Sequence, residues 1–128
     1  MSNAYIEKTY GDDLDISLRS HTEILTDLDK VFFDKVAADL DILKSKASSL
    51  MSQYLDLNKP CFMGGAKLFS IEINGVSPTV YKVNLEFFFE PDANVYWCVT
   101  FNVPLLSPPL ERLDKLSYWP IELAWRVE

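Results

Sequence analysis

Glycine, cysteine and histidine are scarce in this chain, and each shortage excludes a class of protein. Only four of the 128 residues are glycine, which excludes a collagen-like repeat. The two cysteines, Cys61 and Cys98, are too few for a disulfide framework, so we expect them to stay unpaired in a reducing compartment. The single histidine, His21, has no second histidine or cysteine at a metal-ligand spacing. The sequence therefore predicts no metal site and no cofactor.

Basic residues and long apolar runs are also scarce. Lysine and arginine number 12 against 19 aspartate and glutamate residues, which gives a formal net charge of −7. A nucleic-acid partner requires a basic surface, so this charge predicts no nucleic-acid binding and favours a basic protein partner. Apolar runs such as Phe87–Phe89 are far shorter than a membrane span, and the first residues lack the basic and then apolar order of a secretory signal. We therefore expect a cytoplasmic protein that does not enter a membrane.

Apolar residues, in contrast, are abundant enough to build one core. Hydrophobic residues make up 48% of the chain and aromatic residues 13%. A chain of this length can bury roughly two-thirds of its surface on folding. No internal repeat, low-complexity tract or change of composition divides the sequence, so residues 1–128 are predicted to form a single domain.

The strongest periodic pattern predicts one long helix over residues 26–55. Two starts compete, because Ser20 with Glu23 and Thr26 with Asp29 both fit a capping box. Thr26 is preferred, since a helix that began at Ser20 would turn Asp29 into the apolar stripe. The stripe recurs every three or four residues and comprises Leu28, Phe32, Val36, Leu40, Leu43, Ala47, Leu50, Met51 and Tyr54.

Alternation of apolar and polar residues predicts the strands. A strand over Leu14–Leu18 is predicted, with residues 5–10 pairing with it as a short hairpin. A three-stranded meander follows over about residues 66–103, and a C-terminal edge strand over about residues 120–127. Between the meander and the last strand, the sequence predicts a short helix that carries Leu110, Leu113 and Leu116.

The register of the meander follows from the rule that directly opposed residues share a face. Two hairpins would place Ile71 opposite Tyr81 and Phe89 opposite Trp97. Both hairpins then share one apolar face, which also includes Phe69. The sequence therefore predicts an α+β fold with an antiparallel sheet of about four to five strands and one long helix packed across one face.

No residue pattern names a reaction. Gly64 and Gly65 lack the following glycine and lysine that would complete a phosphate-binding loop. Cys98 has no neighbouring cation to activate its thiol, and the acidic residues 12–15 are typical of a solvated turn. We therefore expect that the protein is not an enzyme.

The polar face of the predicted sheet is the best candidate site. Aromatic rings on this face would supply contact area and carboxylates would steer a basic partner, which is typical of a protein interface. A competing interpretation is that the short C-terminal helix covers the rings. The predicted partner-binding residues are Glu72, Glu86, Phe88, Glu90, Asp92 and Tyr96. A second candidate is the solvated stripe of the long helix, which comprises Asp27, Asp34 and Asp41.

The chain resembles the small acidic immunity proteins of contact-dependent growth inhibition and other polymorphic toxin systems in bacteria. The resemblance lies in size, acidity and the order of elements: a strand at Leu14–Leu18, a helix that ends near Tyr54-Leu55, a strand at Lys67–Ile73 and two aromatic strands. Such a family implies a cytoplasmic protein that binds the toxin domain of a large secreted protein, often a basic nuclease, and blocks it by steric occlusion. The family shares no catalytic residues, so the resemblance implies none here.

Two other functions fit the same sequence. A secretion-chaperone-like protein is also small, acidic and α+β, and it would dimerise and hold an unfolded client segment. The second alternative is an enzyme with an unrecognised carboxylate site. The sequence leaves the oligomeric state open.

Overall fold

Six β-strands and two α-helices form the part of the chain that the computed structural model describes, which is residues 2–11, 13–54, 66–89, 92–104 and 118–127. The fold is α+β, with both helices inserted between the second and third strands. In chain order, the elements are β1 (Tyr5–Tyr10), β2 (Leu14–Arg19), α1 (Asp27–Ala38), α2 (Leu40–Tyr54), β3 (Ala66–Ser77), β4 (Val80–Phe89), β5 (Asp92–Pro104) and β6 (Trp119–Val127).

All six strands lie in one mixed sheet, in the spatial order β1-β2-β3-β4-β5-β6. The strands β2 and β3 are parallel, with Ile16 opposite Ile71 and Leu18 opposite Ile73, whereas the other neighbouring pairs are antiparallel. The prediction of an antiparallel sheet of four to five strands is therefore wrong. The physical reason is the crossover: the two helices carry the chain back along one face of the sheet, so β3 runs in the same direction as β2.

The helical segment is divided at Asp39, so the prediction of one long helix over residues 26–55 is also wrong. Asp39 has φ −96° and ψ 18°, and its N–H donates to the carbonyl oxygens of both Lys35 (2.9 Å) and Val36 (3.1 Å). An N–H that is shared between the carbonyl oxygens three and four residues earlier is common at helix ends. The side chain of Asp39 is buried and accepts a hydrogen bond from Tyr118. The apolar spacing continues through the break, which is why periodicity alone does not reveal it.

The predicted helix start at Thr26 is confirmed. The Thr26 hydroxyl accepts a hydrogen bond from the N–H of Asp29 at 3.0 Å. The Asp29 carboxylate accepts one from the N–H of Thr26, also at 3.0 Å, which completes the capping box. Ser20, the competing start, is buried in the loop after β2 and donates to Asp29.

Both helices pack on the same side of the sheet, which we call the helix face; the opposite side is the open face. The helix stripe is buried as predicted at its central positions, whereas Tyr54 at its end is 72% exposed. Trp97, predicted to lie in the core, is only partly buried and packs at the margin. The largest fully buried side chains are Tyr81, Phe32, Phe33, Phe101, Ile16, Leu18, Leu43, Met51, Ile71, Ile73, Leu85 and Val36.

The strand registers differ from the predicted ones by even numbers of residues. Trp97 lies opposite Phe87, two residues from its predicted partner, and Ile71 lies opposite Leu85, four residues from its predicted partner. Because side chains alternate with a period of two, an even shift by itself moves no residue to the other face; only a bulge, such as the one between Leu68 and Ser70, does so. The division into an apolar and a polar face therefore survives both register errors.

Several predictions concern residues outside the described ranges. They are the short helix that carries Leu110, Leu113 and Leu116, with the competing interpretation that it covers the rings of Phe88 and Tyr96, the pair Gly64–Gly65, the unpaired Cys61, and the interface residue Glu90.

Candidate partner-binding surface

Three aromatic rings meet on the open face of the sheet. Phe88 of β4 lies directly opposite Tyr96 of β5, and both side chains are half-buried. The ring of Phe69 contacts both, with centroid distances of 5.7 Å to Phe88 and 5.8 Å to Tyr96. The geometry to Tyr96 is edge-to-face, at 87°, an arrangement that aromatic quadrupoles favour. We call Phe69, Phe88 and Tyr96 the aromatic cluster.

Phe69 joins this cluster because of a β-bulge. In the ladder between β3 and β4, Leu68 pairs with Phe87 and Ser70 pairs with Glu86, so Phe69 is an extra residue between them. An extra residue reverses the alternation of side chains locally. Phe69 therefore lies on the open face, and the prediction that it shares the apolar face with Ile71 is wrong.

Charges of both signs surround the aromatic cluster. Of the predicted carboxylates, Glu72 is exposed and Glu86 half-buried, and both pair across β3 and β4 with open-face residues. A cation that the sequence interpretation missed, Lys67, has its ammonium 5.8 Å from the ring centroid of Phe88. Lys67 also lies 3.5 Å from the carboxylate of Asp13, in an exposed pair worth little on its own.

The remaining predicted interface residues are only partly described. Asp92 begins β5 and lies in register with Phe89. The helix acids Asp27, Asp34 and Asp41 are all exposed, but Asp41 lies on α2, beyond the break at Asp39. The predicted acidic stripe therefore runs over two helices instead of one.

A buried carboxylate joins the start of α1 to the sheet. The Asp29 side chain has no exposed surface. It accepts hydrogen bonds from the hydroxyls of Ser20 and Tyr81, each at 2.6 Å, and a third from the N–H of Thr26. Burial opposes the charge on Asp29, but these hydrogen bonds outweigh it and hold the pKa of the carboxyl below its usual value. Asp29 is therefore charged at neutral pH.

The position and the protonation of Tyr81 both suit it to donate a hydrogen bond to Asp29. Its ring stacks on Phe32 of α1 with a centroid distance of 4.1 Å and an interplanar angle of 11°. Burial, together with the hydrogen bond to Asp29, raises the pKa of the Tyr81 hydroxyl. The hydroxyl thus keeps its proton and remains a donor to the carboxylate.

A second carboxylate–tyrosine pair lies at the other end of α1. The Tyr118 hydroxyl donates to Asp39 at 2.7 Å, and the ammonium of Lys35 lies 3.1 Å from the other oxygen of that carboxylate. The carbonyl oxygen of Tyr118 accepts from Lys46 of α2 at 3.2 Å. The hydrogen bonds at Asp29 and Asp39 thus tie the two ends of α1 to Tyr81 of β4 and to Tyr118, which directly precedes β6. We call these two pairs the helix staples.

Sequence reasoning missed both helix staples. The alternation of β4 assigns Tyr81 to the apolar face, and a tyrosine there requires a hydrogen-bond partner for its hydroxyl. That requirement could have predicted a hydrogen bond from the Tyr81 hydroxyl, but the sequence does not specify which residue accepts it. The choice of Asp29 depends on a contact between residues 52 positions apart.

The other residues singled out in the sequence form no chemical constellation in the described part of the chain. His21 lies half-buried in the loop after β2, and its Nδ1 atom is buried with no hydrogen-bond partner there. Cys98 is buried in β5, in register with Ala124. Within the described residues, no group of three or more histidine, cysteine, aspartate or glutamate side chains is arranged to hold a metal ion.

A groove of about 410 Å³ lies on the helix face between the end of α2 and the strand β6. Leu50 and Tyr54 line it on the helix side, Trp97 forms part of its wall, and residues 120–123 of β6 complete it. Trp119, Ile121 and Trp125 of β6 are each more than half exposed. The groove therefore adjoins an apolar edge of the sheet.

Comparison with known proteins supplies no relative for this chain: no protein-family profile, no curated protein and no solved structure matches it significantly. None of the helices in the described ranges has the length and apolarity needed to cross a membrane.

Proposed function

We propose that this protein is an immunity protein that binds a basic toxin domain, such as a nuclease, and blocks it by steric occlusion. The observation that carries the proposal is the aromatic cluster on the open face. Both described helices pack on the other face, so the rings of Phe69, Phe88 and Tyr96 lie on the side of the sheet that those helices leave uncovered. A cytoplasmic location belongs to the same proposal.

The aromatic cluster has the properties of an interface anchor. Aromatic residues are enriched at binding hot spots because they offer large contact areas at a low cost in side-chain entropy. Phe88 and Tyr96 lie on adjacent strands inside the sheet, and both contact the ring of Phe69, so the three rings are packed against one another before a partner arrives. A preorganised anchor of this kind reduces the entropy that binding would otherwise cost.

The net charge of −7 supports a basic partner. Charge acts over a distance and therefore raises the rate of association. The aromatic rings, which the partner would bury in the complex, determine how fast the complex dissociates. The two contributions can be separated by kinetics, because added salt screens the first and has little effect on the second.

The experiment measures binding to the product of the neighbouring gene, a large secreted protein whose C-terminal domain is the toxin. Association should exceed the neutral range of about 10⁵–10⁶ M⁻¹s⁻¹ and should slow as salt is added. Phe88→Ala and Tyr96→Ala should each accelerate dissociation by roughly thirtyfold, as truncation of a hot-spot residue does. Tyr54→Ala is the matched control, because Tyr54 is a highly exposed aromatic residue of α2, on the helix face.

Two results would contradict the proposal. If no neighbouring gene encodes such a protein, or if its C-terminal domain does not bind, the immunity function is wrong. If binding is tight but indifferent to Phe88 and Tyr96, the interface lies elsewhere, and the helix acids Asp27, Asp34 and Asp41 are the next surface to test.

The second candidate function is that of a secretion-chaperone-like protein, and the groove beside β6 is the observation that favours it. An extended client segment would lie between Leu50 of α2 and the exposed strand β6. In that case Leu50→Lys would abolish capture of an unfolded segment of the neighbouring secreted protein, and Phe88→Ala would leave capture unchanged. The opposite pattern supports the immunity function.

A further inference from the structure

A cation from the chain itself lies over one ring of the aromatic cluster. Lys67 of β3 pairs directly with Phe88 of β4, and its ammonium is 5.8 Å from the centroid of the Phe88 ring. That distance is near the outer limit of about 6 Å for attraction between a cation and a ring face. The Lys67 side chain is also 48% exposed, so water weakens the attraction. The Phe88 ring therefore accepts a positive charge on its face, but Lys67 is bound there only weakly.

A second contact of Lys67 is also weak. Its ammonium lies 3.5 Å from the carboxylate of Asp13, whose side chain is 67% exposed. Ion pairs at exposed positions contribute little to stability, because water and salt screen them. If another cation took the face of the Phe88 ring, Lys67 would still have Asp13 as a counter-ion. Displacement of Lys67 from the ring would therefore cost little.

An arginine side chain is the cation best suited to replace Lys67. Its guanidinium is planar, so it can stack on a ring and still donate hydrogen bonds from its edge, whereas a lysine ammonium is a compact and strongly hydrated charge. The attraction to the ring also grows when a partner protein excludes water from the contact. Glu86 lies two residues from Phe88 on the same face of β4 and places a carboxylate near the ring. The net charge of −7 favours a basic partner that carries such a side chain.

We infer that the outer face of the Phe88 ring is an arginine-binding site, which Lys67 occupies in the free protein and yields to an arginine of the basic partner. The inference rests on the proposed function for the identity of that partner, but the site can be tested without the toxin domain. Lys67 then contributes to specificity. A neutral side chain of a partner cannot replace the attraction that is lost when Lys67 leaves the ring, whereas an arginine can.

A hexa-arginine peptide is the probe, and nuclear magnetic resonance of the full, unmodified chain follows the exchange. In the free protein, the ring current of Phe88 should shift the Hε protons of Lys67 upfield of those of Lys82. Lys82 is the reference because it is exposed on the same face of β4, about 20 Å from Phe88 at 3.3 Å per residue. When the peptide saturates the protein, the Lys67 signal should move to the position of the Lys82 signal.

Two variants test the site by affinity at constant ionic strength. Lys67→Met removes the competing charge at a similar side-chain length, whereas Lys82→Met changes the net charge equally but away from the ring. Lys67→Met should tighten the binding of hexa-arginine by roughly two- to fivefold more than Lys82→Met does. Phe88→Leu keeps an apolar side chain and removes the ring. It should weaken the binding of hexa-arginine by roughly two- to fivefold, and that of hexa-lysine by less.

Three results would each overturn the inference: a Lys67 signal that the peptide does not move, equal effects of Lys67→Met and Lys82→Met, or unchanged binding of hexa-arginine to Phe88→Leu. The first result comes from the unmodified chain, so it does not depend on whether a variant folds. Failure of the proposed function has a different signature. A toxin domain that does not bind would refute the immunity function, whereas the hexa-arginine measurements judge the site alone.

Discussion

Tyr81→Phe removes one hydroxyl and leaves the packing of the ring in place. The stack of Tyr81 on Phe32, at 4.1 Å, does not involve the hydroxyl, so the loss is confined to the 2.6 Å hydrogen bond to Asp29. Hydrogen bonds to charged groups contribute about 1.5–3 kcal/mol when both partners are buried. We expect the free energy of unfolding at neutral pH to fall by about that amount.

The same substitution should change how stability depends on pH. The pKa of Asp29 is lowered in the folded state, so its charged form stabilises the fold above the unfolded value of about 3.9. That contribution is lost as the pH falls through the folded-state pKa. The Tyr81 hydroxyl is one of the groups that lower this pKa, so the variant should have a higher folded-state pKa. The difference in stability between the two proteins should therefore be largest near pH 7 and shrink below about pH 4.

Urea unfolding at a series of pH values measures both effects. Tyr5→Phe is the matched control, because Tyr5 also donates to a carboxylate, that of Glu7 at 2.8 Å, but at an exposed position. It should change the free energy of unfolding by less than about 0.5 kcal/mol. If Tyr81→Phe costs no more than Tyr5→Phe at neutral pH, or if its cost does not change with pH, then Asp29 is not held as a buried charge by Tyr81.

Three further substitutions test the packing by urea unfolding. Gly75→Ala should lower the free energy of unfolding by about 1–3 kcal/mol, because its Cβ would lie 2.9 Å from the backbone nitrogen of His21; an unchanged midpoint would show that the loop yields freely. Phe101→Ala should cost about 3–5 kcal/mol because Phe101 is fully buried, and Trp97→Ala should cost less because Trp97 is only partly buried. An equal or larger cost at Trp97 would show that it belongs to the core.

Except at the bulge that contains Phe69, local patterns predicted the faces of the strands correctly, but they did not predict which strands are neighbours. Alternation assigns Phe88 and Tyr96 to the polar face in every register that differs by an even number of residues, because only an odd shift would move them to the other face. The parallel pairing of β2 with β3 is different, because it joins segments separated by both helices. No periodicity within either strand specifies it.

The errors at Asp39 and Phe69 have a common physical cause. In both places one residue departs from a regular pattern because a distant side chain makes the departure favourable. Asp39 leaves the helix where its carboxylate meets Tyr118, and Phe69 leaves the alternation where its ring meets Phe88 and Tyr96. These partners come from other elements, so a local reading of the sequence cannot show that they are near.

Under the proposed function, the two faces of the sheet assign stability and recognition to different side chains. Tyr81 and Phe88 belong to the same strand, but they lie on opposite faces and are about 23 Å apart along it, at 3.3 Å per residue. Substitutions separated by more than about 10 Å, with no shared partner, usually have additive effects. The helix staples fix α1 against the sheet without using any ring of the aromatic cluster. If the aromatic cluster is the interface, as we propose, its residues can therefore change while the buried carboxylates continue to hold the helices. Such an interface can change its specificity without losing the fold.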